Sequence, residues 1–444
     1  MTTFLIIIFI YLFIITTIQI ALVLRALKYD PRPDENKHHT NNTVDILIPA
    51  YNEEKSIISS VKGCLNQTKL NKVIVIDDGS EDQTPNKVID YFNLKRVENF
   101  EEVFNKEEIT TDGELIGAYE SEDKKILLLV KLNGGKYDAL NLGTQISESD
   151  WILNVDADSI LMPDANETLL SSLKKDSVAI TSSIGIINGC EVDREKGTIK
   201  KFSLGFNPLV VAQILEYLRT FIMLKLSLVD KGTASCLSGA CSLINRQYLI
   251  DVGGYKKKLT EDSEVTLRIL QNGGKIQYIP DTLSYTECPS TVRDLKTQRD
   301  RWIRGMFRDM WEYRGLMKDK TAVGRVIVPY FFFSNVILPW VEILSWIIFA
   351  FLLSIGAIAV SAKLVLILIG IVFGLHIINN IILLVVSKKF IRYKIYQNLW
   401  YLFFISCVDL LYYRPIILFL LIKNQFKELF SFTYEWGKIR RTGF

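Results

Sequence analysis

Short apolar runs ending in polar turns dominate the first third of the chain. "VDILIPAYNEE" from Val44, "NKVIVIDDGSEDQT" from Asn71, "KKILLLVKLNGG" from Lys124 and "DWILNVDADSI" from Asp150 each read as a buried parallel strand. Between them, stretches such as Lys55 to Leu65 and Lys136 to Ile146 have a helical pattern. Strand and helix in alternation predict an α/β fold with a doubly wound sheet. Polar groups collect where these strands end: Asn52 and Glu53, Asp77 and Asp78, Asp156 and Asp158. Sheets of this kind bind ligands at that edge.

Longer apolar stretches flank this region. Phe4 to Leu24 is long enough to cross a bilayer, and Arg25, Lys28 and Arg32 follow it. Residues 1–28 are therefore expected to be a retained N-terminal anchor with the next domain in the cytoplasm. Phe206 to Leu228 has helical length with Glu216, Arg219 and Lys225 interrupting its apolar residues, which suits a helix at the membrane interface or in a core. A second interfacial helix is expected near 295–315. Val326 to Val360, Leu364 to Val386 and Leu399 to Ile422 are each expected to span, giving a multi-pass membrane protein. The basic run Lys388 to Lys394 and the basic tail, 423–444, should both be cytoplasmic. A single crossing at Leu399 to Ile422 conflicts with that, unless the segment is broken near Asp409 and Arg414–Pro415 and partly re-entrant. Residues 92–125, rich in Glu and Asp without a periodic apolar face, read as a solvated insertion.

Composition narrows the chemistry. The 444 residues are 49% hydrophobic and 23% charged, which requires both lipid-facing and water-facing parts. A net charge of +3, with no interleaving of basic and aromatic residues, argues against a nucleic acid partner. The six cysteines form no CxxC pair, and the three histidines are His38, His39 and His376, which argues against a zinc site or a disulfide scaffold. Histidine is thereby removed as a general base.

Carboxylates and cations remain. Asp156 and Asp158 after a buried strand can reach one hard cation, Mg²⁺ or Mn²⁺, which completes its shell with water and phosphate oxygens. Lys136 stands at a helix start, where backbone N–H groups also favour anions. Glu261 and Asp262 precede an amphipathic helix, and a carboxylate is the natural base for activating a hydroxyl. In "QRDRWIRG", Arg299, Arg301 and Arg304 flank Trp302, suiting diphosphate oxygens and a sugar ring. Each of these has a bland alternative: a solvated turn, a capped helix, a basic membrane-surface helix.

Their order is more specific. "PAYNEE", "DDGS", "NGGKYDALN", "DAD", "SGA", "TED" and "QRDRW" occur in sequence between Val44 and Gly305, and over 44–305 the chain resembles the membrane-embedded, processive family 2 glycosyltransferases. That group includes hyaluronan, chitin, cellulose and poly-N-acetylglucosamine synthases. The resemblance implies a GT-A-type nucleotide-sugar transferase domain. By it, Ala50, Asn52 and Glu53 lie on the donor side, Asp78 contacts uridine, Lys136 the diphosphate, and Asp156 with Asp158 the nucleotide and its metal. Asp262, with Glu261 in the TED motif, is the base; Arg301 stabilises the departing diphosphate. Gln298 and Trp302 belong to the acceptor side, with Ser238, Gly239 and Ala240 of "CLSGACSLINR" matching an acceptor segment more loosely. The implied activity is inverting, processive polymerisation of a UDP-sugar, UDP-N-acetylglucosamine first, with hyaluronan-like or cellulose-like polymers next. The implied partners are the UDP-sugar, the growing polysaccharide, the bilayer, and a small membrane subunit or a second copy of the chain. The competing readings are a non-processive transferase decorating a lipid carrier and a catalytically dead membrane partner.

Overall fold

The computed structural model describes residues 20–22, 24–25, 42–100, 109–226, 236–355, 362–391, 399–430 and 443. The expected anchor lies almost wholly outside them, as does most of the basic tail.

Twelve strands form among the described residues: β1 Val44–Ala50, β2 Leu70–Asp78, β3 Lys95–Arg96, β4 Leu115–Glu120, β5 Ile126–Lys131, β6 Trp151–Asn154, β7 Ser159–Leu161, β8 Ser177–Ile186, β9 Glu191–Asp193, β10 Thr198–Lys201, β11 Ser242–Asn245 and β12 Lys275–Thr286. Ten make one mixed sheet in the order β3-β4-β5-β2-β1-β6-β11-β8-β12-β7, while β9 and β10 pair by themselves. The strands β5, β2, β1 and β6 run parallel, as the four apolar runs predict. Their side chains alternate between two cores. Ile46, Ile48, Val73, Val75 and Leu128 face one layer, and Leu47, Ile74, Ile76, Leu127 and Leu129 the other. Both faces are covered, so continuous apolar runs rather than alternating ones are required.

Chain order reverses between β1 and β6, because β2 and β5 extend the sheet to one side of β1 and β6 is added on the other. A crevice opens at such a switch point, beyond the strand carboxyl ends. Asp156 follows β6 there, and Ala50 ends β1 opposite Asp77.

The helices of this domain are α1 Ile57–Leu65, α2 Thr84–Phe92, α3 Lys136–Ile146, α4 Ala165–Ser172, α5 Pro208–Leu218, α6 Arg246–Asp251, α7 Glu261–Gln271 and α8 Val292–Glu312. The acidic stretch 92–125 is not a purely solvated insertion. It supplies β4, antiparallel to β5, and β3, antiparallel to β4, which extend the sheet, and Ile109 is buried beside α3, where Gln145 donates to its carbonyl. The acidic composition hid these pairings because an edge strand needs only one apolar face.

Helix α5 starts at a cap in which the Asn207 side chain accepts from Leu209 N at 3.0 Å. It packs between β8 and the C-terminal helices with Val211, Ala212 and Leu215 fully buried, and continues as a π-helical turn, Arg219–Lys225. It is thus a core helix on both sides.

After a short helix at Val328–Phe332, the described residues form α9 Leu338–Ser354, α10 Ala362–Ser387, α11 Leu399–Asp409 and α12 Tyr413–Leu429. Among the described residues one helix, Val323–Ser345, is long and apolar enough to cross a membrane. Helices α11 and α12 pass that test only together, across a 41° bend. The break falls at the position expected from Asp409 and Arg414–Pro415. The described residues thus hold one such helix, or two if the bent pair is a single broken span. A polar knot joins these helices to α5: Arg219 pairs with Asp409 at 2.6 Å and donates to Asn380 Oδ1 at 2.9 Å, and His376 lies 3.5 Å from Asp409.

Candidate active site

The loop from β5 into α3 is built on buried charge. Lys131, wholly buried at the end of an apolar strand, pairs with Asp78 Oδ1 at 2.7 Å and Asp138 Oδ2 at 2.6 Å. Asp78 also accepts the backbone N–H groups of Gly134 (2.9 Å) and Gly135 (2.8 Å). Gly135 has φ 98°, a conformation that a side chain would strain. Asp138 in turn accepts from Asp112 N and Gly113 N at 2.6 and 3.1 Å, tying the acidic stretch to the same hub. Asp78 is thus an anchor of the loop that presents Lys136.

Lys136 Nζ bridges two elements. It lies 2.6 Å from Asp156 Oδ1, beyond β6, and 3.1 Å from Glu261 Oε1, in the first turn of α7. Burial alone would depress the lysine, but Asp156, Glu261 and Asp262 together hold it above its ordinary value. Gly239 packs against the pair: a Cβ there would stand 2.8 Å from Lys136 Nζ and 3.5 Å from Asp156 Oδ1. Ser238 and Gly239 line a small cleft with Glu261, Asp262 and Tyr255. Burial raises the Asp262 carboxyl above the usual range and Glu261 adds to it, with Lys136 and Arg301 opposing. A raised carboxyl is the direction that suits proton acceptance.

Other expected residues serve as scaffold. Asn52, at φ 57°, accepts from Glu81 N at 2.7 Å and donates its own N–H to Ser80 Oγ at 2.9 Å, fixing the DDGS turn. Glu53 accepts from Ser56 Oγ at 2.9 Å, ahead of α1. Asp158 is buried, and its Oδ1 accepts from Thr286 Oγ1 at 3.0 Å. Asp156 and Asp158 offer hard oxygen donors. Among the described residues no group of three or more His, Cys, Asp or Glu side chains is arranged to hold a metal. A cation here would therefore rely on phosphate and water for most of its shell, as Mg²⁺ and Mn²⁺ do with nucleotides.

Helix α8 brings the QxxRW residues to the far side of α7. Arg301 Nη1 donates to Leu259 O at 3.2 Å, just ahead of the TED motif. Arg299 stacks 4.3 Å from the Trp302 ring centroid and pairs with Glu216 of α5 at 2.6 Å. Gln298 is buried with Oε1 unpartnered. The back of α8 is braced by α12. Asn424 donates to Asp300 at 2.6 Å, Arg308 pairs with Glu428 at 2.6 Å, and Arg304 meets the same carboxylate.

Sequence reasoning missed Lys131 and Asp138. A lysine closing the run "ILLLVK" is a signal that could have found the first, since a charge at the end of a buried strand needs partners.

A crevice beyond the strand carboxyl ends, with a lysine beside a cluster of carboxylates, is an arrangement suited to group transfer from a phosphorylated donor. The chain belongs to glycosyl transferase family group 2, whose pattern matches residues 151–375, and residues 45–107 match glycosyl transferase family 2. It is 25% identical over 285 residues to the poly-beta-1,6-N-acetyl-D-glucosamine synthase of Staphylococcus aureus (strain COL), covering 63% of this chain and 59% of that protein. The Staphylococcus epidermidis (strain ATCC 35984) synthase is 25% identical over 283 residues, 62% of this chain and 58% of the relative. The chain thus spans about three fifths of the length of the curated relatives it matches. A mannosyltransferase from Pyrobaculum calidifontis, solved with GDP-Man and Mn²⁺, superposes with a TM-score of 0.57 at 16% identity, over 94% of this chain and 99% of that one. The fold is GT-A-like.

Proposed function

We propose that the protein is an inverting glycosyltransferase that extends a β-linked polysaccharide from a UDP-sugar, with UDP-N-acetylglucosamine the first donor to test. The observation that carries this reading is the bridge from Lys136 to Asp156 and Glu261, which supports a cation for the diphosphate close to Asp262, whose carboxyl burial raises. The synthases named above support the polymer product and the choice of sugar.

In this reading Asp262 takes the proton of an acceptor hydroxyl, whose oxygen then attacks the anomeric carbon. The bond from that carbon to the diphosphate breaks with inversion, and UDP leaves carrying the electron pair. Lys136 and Arg301 face the negative charge that grows on the leaving group. Asp156 and Asp158 would hold Mg²⁺ or Mn²⁺, which supplies charge neutralisation of the diphosphate when bound. Asp78 acts on the nucleotide through the loop it anchors, with Ala50, Asn52 and Glu53 shaping the opposite wall. Ser238, Gly239, Gln298 and Trp302 serve the acceptor.

The domain assignment proposed is an anchor at 1–28, a cytoplasmic catalytic domain at 44–305, a membrane region at 326–422 and a cytoplasmic tail at 423–444. Exposed Ile347, Phe351, Ile367, Phe404 and Phe419 on the C-terminal helices support a lipid-facing surface. With few crossings to line a polymer path, a small membrane subunit or a second copy of the chain completes it.

Purified protein in lipid, offered a panel of UDP-sugars, should release UDP and form a polymer resistant to all but a matching glycosidase. Single-sugar addition to a lipid would instead favour the decorating transferase. Absence of transfer from every donor would favour a non-catalytic partner.

A further inference from the structure

Helix α8 carries a buried carboxylate that the transfer chemistry above does not use. Asp309 is 1% exposed, and its Oδ2 accepts from Thr260 Oγ1 at 2.8 Å. Its Oδ1 has no partner. Thr260 directly precedes Glu261 and Asp262, and its carbonyl accepts the Glu264 N–H at 3.0 Å in the first turn of α7. The Thr260 hydroxyl does not cap α7 from its own side chain, as a helix-start threonine commonly does; it is committed to Asp309 instead.

Two further bonds run between the same elements. Arg301 Nη1 donates to Leu259 O at 3.2 Å, and Tyr313 OH donates to Glu264 Oε1 at 2.5 Å. Gly305 permits the close approach, because a Cβ there would lie 2.3 Å from Thr260 Oγ1. Three groups along α8 and its continuation therefore grip Leu259, Thr260 and Glu264, the residues that bracket Glu261 and Asp262. Burial pushes the Asp309 carboxyl up to about 7, against the hydroxyls of Thr260 and Ser263, with Glu264 adding to the rise and Lys258 opposing it. Keeping a buried acid with one orphaned oxygen costs stability, and a hydrophobic residue would fill the space without that cost.

We infer that Asp309 is a positioning residue: through the Thr260 hydroxyl it fixes the turn that presents Asp262, coupling the acceptor-side helix to the base. The inference rests on Asp262 acting as the base. Without the tether the first turn of α7 loses a fixed point, and a base displaced by an ångström loses much of its effect.

The test compares Asp309→Ala, Asp309→Asn, Thr260→Val and the double variant Asp309→Ala/Thr260→Val, in the full-length protein in lipid. UDP release from UDP-N-acetylglucosamine is measured per folded molecule, with backbone amide exchange over Thr260–Glu264. Asp309→Ala should lower kcat about tenfold with the donor KM within twofold, and quicken exchange at Thr260–Glu264 but not at Asp156–Ser159. Asp309→Asn keeps an acceptor oxygen and should restore most of the rate. Thr260→Val breaks the same bond but leaves the Ser263 hydroxyl beside Asp309, so it should lower kcat no more than Asp309→Ala does, and the double variant should be no worse than Asp309→Ala alone. Thr260→Val also serves if Asp309→Ala does not fold. Unchanged exchange, or additive losses in the double variant, overturns the inference. If exchange quickens but kcat holds, and Asp262→Asn also keeps its rate, the base assignment falls and the positioning role falls with it.

Discussion

Lys136 Nζ stands 2.6 Å from Asp156 Oδ1 and joins residues from opposite ends of the catalytic sequence, since Glu261 shares the same ammonium at 3.1 Å. One side chain thus holds the strand-end carboxylate and the TED helix at a common point. Removing it should do two things: take away a cation from the diphosphate, and leave half-buried Asp156 and buried Glu261 facing one another. Lys136→Met is expected to raise the donor KM by about tenfold or more, the scale of a lost charged hydrogen bond. Steady-state kinetics at fixed acceptor measure this, and an unchanged KM would place the diphosphate elsewhere.

Chelation should abolish transfer if Asp156 and Asp158 engage the donor through a divalent cation. Asp158→Asn should weaken UDP binding in the presence of Mn²⁺ more than in its absence, as measured by calorimetry. Full turnover in excess chelator would remove the cation from the reaction.

Asp262→Asn keeps the size of the side chain but cannot accept a proton. Transfer should fall by about 10²-fold or more while UDP still binds. The pH profile carries a second signature. Because the Asp262 carboxyl is raised, its ionised fraction falls at a higher pH than that of an ordinary aspartate. The acidic limb of kcat should therefore lie above the usual carboxylate range and disappear in the variant.

Trp302→Ala should shorten the product with little effect on donor binding, because it removes the ring on which an acceptor sugar would rest. Arg301→Ala should slow transfer instead, by removing positive charge near the leaving group. Product sizing beside single-turnover rates separates the two. Equal effects of both variants on product length would contradict the division of roles.

Lys131 is a wholly buried charge held between Asp78 and Asp138. Lys131→Met leaves two buried carboxylates without their cation and should cost about 3–5 kcal/mol of stability. Thermal melting reads this directly. A melting point within a degree or two of wild type would mean that the pair gains solvent or a proton at little cost.

The parallel strands were legible because burial on both faces leaves a continuous apolar run, as in Val73 to Ile76. The carboxylates beyond those strands were legible for a related reason: they stand where an apolar run stops, at the sheet edge that binds ligands. What hid from the sequence was pairing at a distance. Nothing in "DDGS" says that Asp78 is taken by Lys131 and two glycine amides while Asn52 holds the turn. Strand β4, second from the sheet edge, was hidden by its acidic neighbours, and α5 by charges that turn out to bond neighbouring helices: Glu216 to Arg299 and Arg219 to Asp409. Apolar length also said nothing of the 41° bend that divides α11 from α12.

Glu428 receives both Arg304 and Arg308, so the last apolar helix is keyed into the helix that carries Trp302. Trimming the chain ahead of that glutamate to obtain a water-soluble catalyst would leave two guanidinium groups stranded and the acceptor helix without its brace. Detergents that loosen the C-terminal helices should act in the same way, silencing the enzyme while the sheet stays folded. Loss of activity on extraction would then report a slipped brace rather than a denatured catalytic domain, and returning the protein to lipid should reverse it.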